Sequence, residues 1–148
     1  MEIIEVSTPE ELKRAWDIRL DVFVGEQQVP IEEEIDDADL APSTLHVLAT
    51  AEGTDVGTAR LLEDAPGHYH IGRVAVRKDA RGTGVGRALM EYLARAAAQR
   101  ACGRAEIVLS AQEQAMGFYS SLGYEVVDGR TYLDAGIAHQ DMRLVVGE

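Results

Sequence analysis

Apolar and polar positions alternate with two different periods along this chain, and each change of period marks an element. Ile3 to Val6 is a short β-branched run, the pattern of a strand. Thr8-Pro9-Glu10-Glu11 then sets Thr at a helix N-cap, Pro at the first helical position and Glu three residues after the cap. Leu12, Ala15, Trp16, Leu20 and Phe23 follow at helical spacing, so this helix has one apolar face, and Arg19 falls on it. Such an arginine either buries its stem and keeps its guanidinium in water or reaches into a site. Gly25 to Pro42 is irregular and acidic. Thr44 to Ala51 and Val56 to Leu62 read as strands around the turn Glu52-Gly53-Thr54-Asp55, and Tyr69 to Val76 follows the Pro66-Gly67 turn as a third. Their short connections predict an antiparallel meander.

The clearest helix spans 85–99, with Val85, Ala88, Leu89, Tyr92, Leu93 and Ala96 on one stripe. Ala105 to Leu109 is a buried strand, and the helix before it makes its pairing with strand 69–76 a parallel crossover. Ala115, Phe118, Tyr119 and Leu122 share one face of a short helix stopped by Gly123. Tyr124 to Val127 and Met142 to Val146 supply the last strands.

Length and composition fit one α/β (α+β) domain over residues 1–148: 46% of positions are apolar and 27% charged, the proportions of a soluble globular protein. No apolar run approaches the roughly 18–20 residues that span a membrane, and residues 1–12 lack the basic, apolar and small-residue succession of a signal peptide. Cys102 is the one cysteine, which excludes an internal disulfide and argues against a Cys-based metal site. A cytoplasmic protein with no membrane partner and no metal is the expectation.

Charge changes this picture once it is located. The formal net charge is −12, and residues 1–55 carry 15 acids against 3 bases, whereas 56–148 carry 11 of each. Within 69–105, eight arginines or lysines face only Asp79 and Glu91. An acidic front and a basic middle suggest a cation preference near the start and an anion preference near the centre. The overall acidity argues against nucleic acid as a partner, because phosphate neutralisation dominates that affinity.

The anion preference has a local counterpart in Arg81-Gly82-Thr83-Gly84-Val85-Gly86, between a strand and a helix. Glycines allow a tight turn and a close backbone approach, and the free amides of a first helical turn attract an anion. Arg77, Lys78, Arg81 and Arg87 surround the same spot, so a phosphate or pyrophosphate is the expected guest. The spacing fits neither a P-loop, since Gly86-Arg87-Ala88 lacks the Lys-Ser/Thr pair, nor the dinucleotide fingerprint. Taken alone, the hexapeptide also reads as a plain turn with solvated arginines.

Beyond it lies Phe118-Tyr119-Ser120-Ser121-Leu122-Gly123-Tyr124. With Arg81-x-x-Gly84-x-Gly86, the order strand, glycine loop, helix, strand and Phe-Tyr helix resembles the GNAT acyltransferase superfamily over nearly the whole chain. Arg19-x-x-x-Phe23-x-x-Glu26-Gln27, Glu34-x-Asp36-x-x-Asp39 and Gly136-Ile137-Ala138-His139-x-x-Met142 are similar to its ElaA-like and YjcF-like branch, which usually has Pro where this chain has Ala138. The resemblance implies a mixed, mostly antiparallel sheet of six to seven strands with about four helices, in which the parallel pair splays to admit acetyl-CoA. The pyrophosphate would rest on Arg81, Gly82, Thr83, Gly84, Val85 and Gly86 with Arg87 nearby. The pantetheine arm would run beside Val74, Ala75 and Val76, and the thioester would point at Tyr119.

On that reading the activity is transfer of an acetyl group to a small primary amine by direct attack. Tyr119 protonates the departing thiolate, a backbone amide near Val74 to Val76 receives the oxyanion, and His70 removes the amine proton. Tyr119 also reads as core packing and Tyr69-His70 as a plain strand end. Glu26, Glu34 and His139 are alternative bases, and with Arg19 they frame the acceptor side. Arg60 and Arg73, unusual in strands, either close a charge network with Glu26 or the acidic loop or cap sheet edges. An inactive acyl-CoA-binding module and a protein lysine or N-terminal acetylase are the competing functions, and a homodimer through a C-terminal strand stays open.

Overall fold

Thr8 opens the first helix as its neighbours predict. A computed structural model describes residues 1–147. In it the Thr8 hydroxyl accepts from the Glu11 amide at 3.1 Å while the Glu11 carboxylate accepts from the Thr8 amide at 3.2 Å, closing the capping box. Helix α1 (Pro9–Arg19) runs directly into a wider π turn, Leu20–Glu26, where the Gln27 amide reaches back to the Val22 carbonyl at 3.1 Å. The irregular acidic stretch then contains α2 (Ile31–Glu34) and a single tight turn, Asp37–Leu40.

Eight strands form one sheet: β1 (Glu2–Glu5), β2 (Leu45–Ala51), β3 (Thr54–Ala65), β4 (His68–Val76), β5 (Ala105–Gln112), β6 (Glu125–Val126), β7 (Tyr132–Asp134) and β8 (Ile137–Val146). Their order is β1-β2-β3-β4-β5-β8-β6, with β7 also on β8, and among the described residues only β4 and β5 run parallel. The expected mixed sheet, meander and crossover are all present. The eighth strand is β7, three residues long and outside the sequence expectation.

Helix α3 (Val85–Ala101) covers one face through Val85, Leu89, Met90, Leu93 and Ala97. Each fully buried leucine there contributes roughly 1.5–3 kcal/mol. Helix α1 covers the other face of the first strands, where Ala15 and Ile18 pack with Val22, Leu48 and Ala75. Helix α4 (Met116–Ser121) lies beside α3. No described helix is long and apolar enough to cross a membrane.

Two irregularities shape the middle of the sheet. The parallel pairing stops after His68↔Glu106, Tyr69↔Ile107 and His70↔Val108, so β4 and β5 part beyond His70. In the same stretch β4 bulges: Arg60 pairs with Gly72 and Thr58 with Ala75, which sets Arg73 and Val74 against Ala59 alone. Arg73 adopts φ +52, a left-handed backbone that costs a side-chain-bearing residue roughly 1–2 kcal/mol.

Behind the bulge lies a buried ion cluster. Arg19 is 1% exposed, Glu34 2% and Asp39 3%. The Arg19 guanidinium donates to Glu34 Oε1 and Asp39 Oδ1, each at 2.7 Å, and to the Glu34 carbonyl at 2.5 Å. Arg60 donates to Asp36 Oδ1 at 2.7 Å and Asp39 Oδ1 at 2.8 Å. Buried His46 sits with its Nε2 3.1 Å from the Asp39 carbonyl, and desolvation pushes its pKa down. The network joins Arg60 and Arg73 to the acidic loop and not to Glu26, which pairs elsewhere.

Removing one member of such a cluster strands the remaining charges in the interior. Asp39→Ala should therefore cost about 3–5 kcal/mol in urea unfolding. Arg14→Ala, which breaks the partly exposed Arg14–Asp55 pair at 2.7 Å, should cost no more than about 1 kcal/mol. Equal losses from the two variants would contradict the cluster's special standing.

Candidate active site

The split between β4 and β5 opens into a cleft of about 1210 Å³ that runs from the glycine loop, past the edge of β4, to a polar floor on β5 and β8. At the loop end, Gly84 is the N-cap of α3 with φ +87; it offers no side-chain cap, and no acid occupies the first turn. The amides that open α3 are therefore free to receive an anion. A Cβ on Gly82 or Gly84 would meet nothing within 4 Å, so the positive φ of each, +78 and +87, is what calls for glycine there. Gly86 has another reason: a Cβ would lie 3.2 Å from Phe118 Cζ, so its bareness lets α4 close on α3.

The rest of the loop is partly committed within the protein. The Arg81 amide donates to the Lys78 carbonyl at 3.3 Å, which removes it from the free set. The Arg81 side chain donates to the Val76 carbonyl at 3.0 Å and to Glu26 Oε2 at 2.9 Å. The Thr83 hydroxyl turns back to the Ala80 carbonyl. Arg87 is held loosely, 3.7 Å from Glu91 and half-exposed.

Along the cleft, β4 presents an unpaired edge. The Arg77 amide donates across to the Val56 carbonyl at 2.8 Å, so by alternation the amides of Val76 and Val74 point the other way, into the split. The Ala75 side chain is buried against α1, and its backbone faces β3. The Val74 and Val76 amides thus offer an amide-bearing chain the pairing that a neighbouring strand would otherwise take, the Val76 carbonyl being held by Arg81.

Tyr119, on α4, borders the cleft and is 9% exposed. The Phe118 and Tyr124 rings pack edge-on against it at 5.1 and 6.0 Å. Burial pushes its phenol up to about 12, so it is protonated throughout the neutral range. His70 occupies the last paired rung before the split. Its Nδ1 lies 2.8 Å from Asp64 Oδ1, and because a carboxylate only accepts, that nitrogen is the donor.

The residues expected on the acceptor side separate. Glu26 and His139 line the cleft. His139 is 7% exposed, with Nδ1 2.6 Å from the Ile137 carbonyl and its ring stacked on Tyr132 at 18°. Glu34 borders the cleft but spends its carboxylate on Arg19, and burial raises its pKa. Arg19 lies outside the lining altogether, its guanidinium used up in the buried cluster, which is neither of the two placements its helical position suggested.

Several lining residues were not singled out from the sequence. Ser110 and Gln112 continue β5 beyond Leu109, and Asp141 stands directly across from Ser110. Tyr132 donates to Asp141 at 2.6 Å and also pairs with Ser110. Gln27 and Gln112 exchange hydrogen bonds across the cleft mouth at 2.8 and 3.2 Å. The period-two pattern Val108, Ser110, Gln112 was the available signal for this floor.

Known proteins match this arrangement over nearly its full length. The family model for an acetyltransferase (GNAT) domain matches residues 7–146. An uncharacterised N-acetyltransferase of Bacillus subtilis, YjcF, is 38% identical over 96% of this chain and 98% of its own. The crystal structure of an acyl-CoA N-acyltransferase from Pseudomonas aeruginosa superposes with a TM-score of 0.84 at 33% identity, covering 96% of this chain and 97% of that one. Escherichia coli ElaA superposes with a TM-score of 0.85 at 29% identity, covering 96% and 97%. Uncapped helix, unpaired strand edge and buried phenol stand in one cleft, on a chain that matches the model almost end to end; this protein belongs to the GNAT acetyltransferase family.

Proposed function

We propose that the protein transfers the acetyl group of acetyl-CoA to a small primary amine, by direct attack with donor and acceptor bound together. Acetyl-CoA is the standard acyl donor of the family. The observation that carries the reading is the continuity of the cleft from the uncapped start of α3, along the unpaired edge of β4, to the Tyr119 phenol. The residues present fit the donor: amides without a cap suit its pyrophosphate, and an open strand edge suits its amide-bearing arm. When bound, it supplies a thioester whose C–S bond breaks as the amine nitrogen bonds to the acyl carbon.

The chain's own groups then divide the work. Val85, Gly86 and Arg87 amides hold the anionic end. Val74 and Val76 amides orient the arm, and one of them faces the charge that builds on the acyl oxygen. Tyr119 keeps its proton at Oη for the departing thiolate. The desolvation that raises the phenol also raises a thiol from its ordinary value of roughly 8.5, so the two proton affinities rise together. His70 accepts the amine proton at Nε2, with Asp64 holding its Nδ1–H. Glu26 and His139 flank the acceptor, and Glu34, braced by Arg19, backs the same wall.

Incubation with acetyl-CoA and a panel of primary amines, followed by free-thiol detection, tests the reaction; coenzyme binding with no thiol release from any amine would instead mark a binding module. Tyr119→Phe should lower kcat by about a hundredfold, the lower end for a lost general acid, and leave the acetyl-CoA Kd within about twofold. An unchanged kcat removes Tyr119 from the mechanism. His70→Gln should depress kcat/KM by about a hundredfold, and an unchanged kcat/KM excludes His70 as the base. Gly84→Ala forces a Cβ onto φ +87 and should weaken coenzyme A binding about tenfold, from a strain of roughly 1–2 kcal/mol.

A further inference from the structure

Two acids of the α1–β2 connection, Glu34 and Asp39, are buried with Arg19 and Arg60, and Arg73 extends their network toward the surface; none of these arginines takes part in the proton transfers above. We propose that Arg73 is a positioning residue: its side chain ties this acidic strap, which walls the acceptor end, to the bulged edge of β4 that receives the donor's arm, so that the two are held as one unit. This inference rests on the acetyl-CoA reading of the cleft.

The strap, residues 28–44, is tied near its C-terminal half by His46 at the Asp39 carbonyl, 3.1 Å, and by Arg100 at the Ser43 carbonyl, 2.8 Å. Its backbone bonds are local, from Val29 to Phe23 at 2.8 Å, Glu33 to Pro30 at 3.0 Å, Asp39 to Asp36 at 3.1 Å and Thr44 to Ala41 at 3.0 Å. None of these is a ladder bond to the sheet. Guanidinium groups do most of the anchoring. Arg19 on α1 and Arg60 on β3 take the inner carboxylates. Arg73 takes the outer end: its Nε donates to the Glu34 carbonyl at 3.1 Å, and its Nη2 to the Glu33 carbonyl at 3.1 Å and Asp36 Oδ2 at 3.3 Å. Glu33 and Glu34 end the short helix α2, and their carbonyls have no partner further along it.

Arg73 differs from the other two in where its backbone lies. It is the left-handed residue of the bulge, φ +52, immediately before Val74, whose amide faces the split. An unfavourable backbone persists only where the surroundings over-determine it. Here the same residue supplies the strained turn and three hydrogen bonds to the strap. Ion clusters are weak evidence for net stability, and the use inferred for this one is to fix one arrangement among several. For this chain, that arrangement is the distance between acceptor wall and donor edge.

The test is amide hydrogen exchange over residues 28–40 with and without coenzyme A, on the full chain and on three variants. Arg73→Gly removes the tie but accepts the positive φ; Arg73→Ala removes the tie and resists the φ; Arg73→Lys keeps one charged donor. In the unmodified protein, coenzyme A should slow strap exchange at least about fivefold. Arg73→Gly should still bind coenzyme A, more weakly by about tenfold, and should lose the slowing. Arg73→Lys should recover part of both. A strap whose exchange ignores coenzyme A in the unmodified protein overturns the proposal, as does an Arg73→Gly variant that retains both affinity and slowing. Weak binding by Arg73→Ala beside normal binding by Arg73→Gly would assign the effect to the bulge and also overturn it. If Arg73→Gly fails to fold by near-UV circular dichroism, Arg73→Lys and Asp36→Asn are read against the same outcomes. Absence of coenzyme A uptake by the unmodified, folded protein would sink the acetyl-transfer reading itself, whereas uptake with an indifferent strap sinks this inference alone.

Discussion

Three rungs of parallel pairing decide what this molecule can hold. Because β4 and β5 join only from His68 to His70, the far half of β4 keeps amides and carbonyls that no strand satisfies. Unsatisfied backbone of this kind is costly inside a protein and is tolerated where a ligand or water completes it. The fold surrounds that gap with features that favour one class of guest. The uncapped start of α3 offers positive charge at one end, and a desolvated phenol waits at the other.

The two arms of the sheet are kept apart by different means. On the α3 face, apolar side chains fill the space, and the bare Gly86 lets Phe118 and hence Tyr119 approach. On the other face, α1 packs through Ala15 and Ile18, and beside them, under the strap, a cluster of buried charge takes over. Arg19, Arg60, Glu34 and Asp39 are buried together there, and Arg73 and Asp36 continue the network out to the surface. Apolar packing tolerates small slips, while a bidentate guanidinium–carboxylate pair does not. The strap side of the cleft is thus held by directional pairs, while Ser110, Gln112, His139 and Asp141 line its other wall.

Much of this was readable in the sequence, and the exceptions share a cause. Local signals were reliable: the capping box at Thr8, the glycine loop before α3, the Gly123 stop and the crossover between strands 69–76 and 105–109 all correspond to observed structure. What escaped depended on partners distant in sequence. β7 is three residues that become a strand only because β8 begins as early as Ile137, and that early part was hidden because His139 and Asp141 interrupt the apolar pattern to face the cleft. The bulge was hidden because arginine gives no hint of a left-handed backbone, and Arg19 looked ambiguous because its carboxylates lie 15 and 20 residues away.

Everything proposed for the cleft requires the unpaired edge of β4 and the first turn of α3 to receive the acyl donor together. Amide resonances followed during titration of the folded protein with coenzyme A test it most directly. Shifts should concentrate at Val74, Val76 and Val85 to Arg87 and saturate together with one affinity. Saturable binding that leaves those five amides unmoved would contradict it.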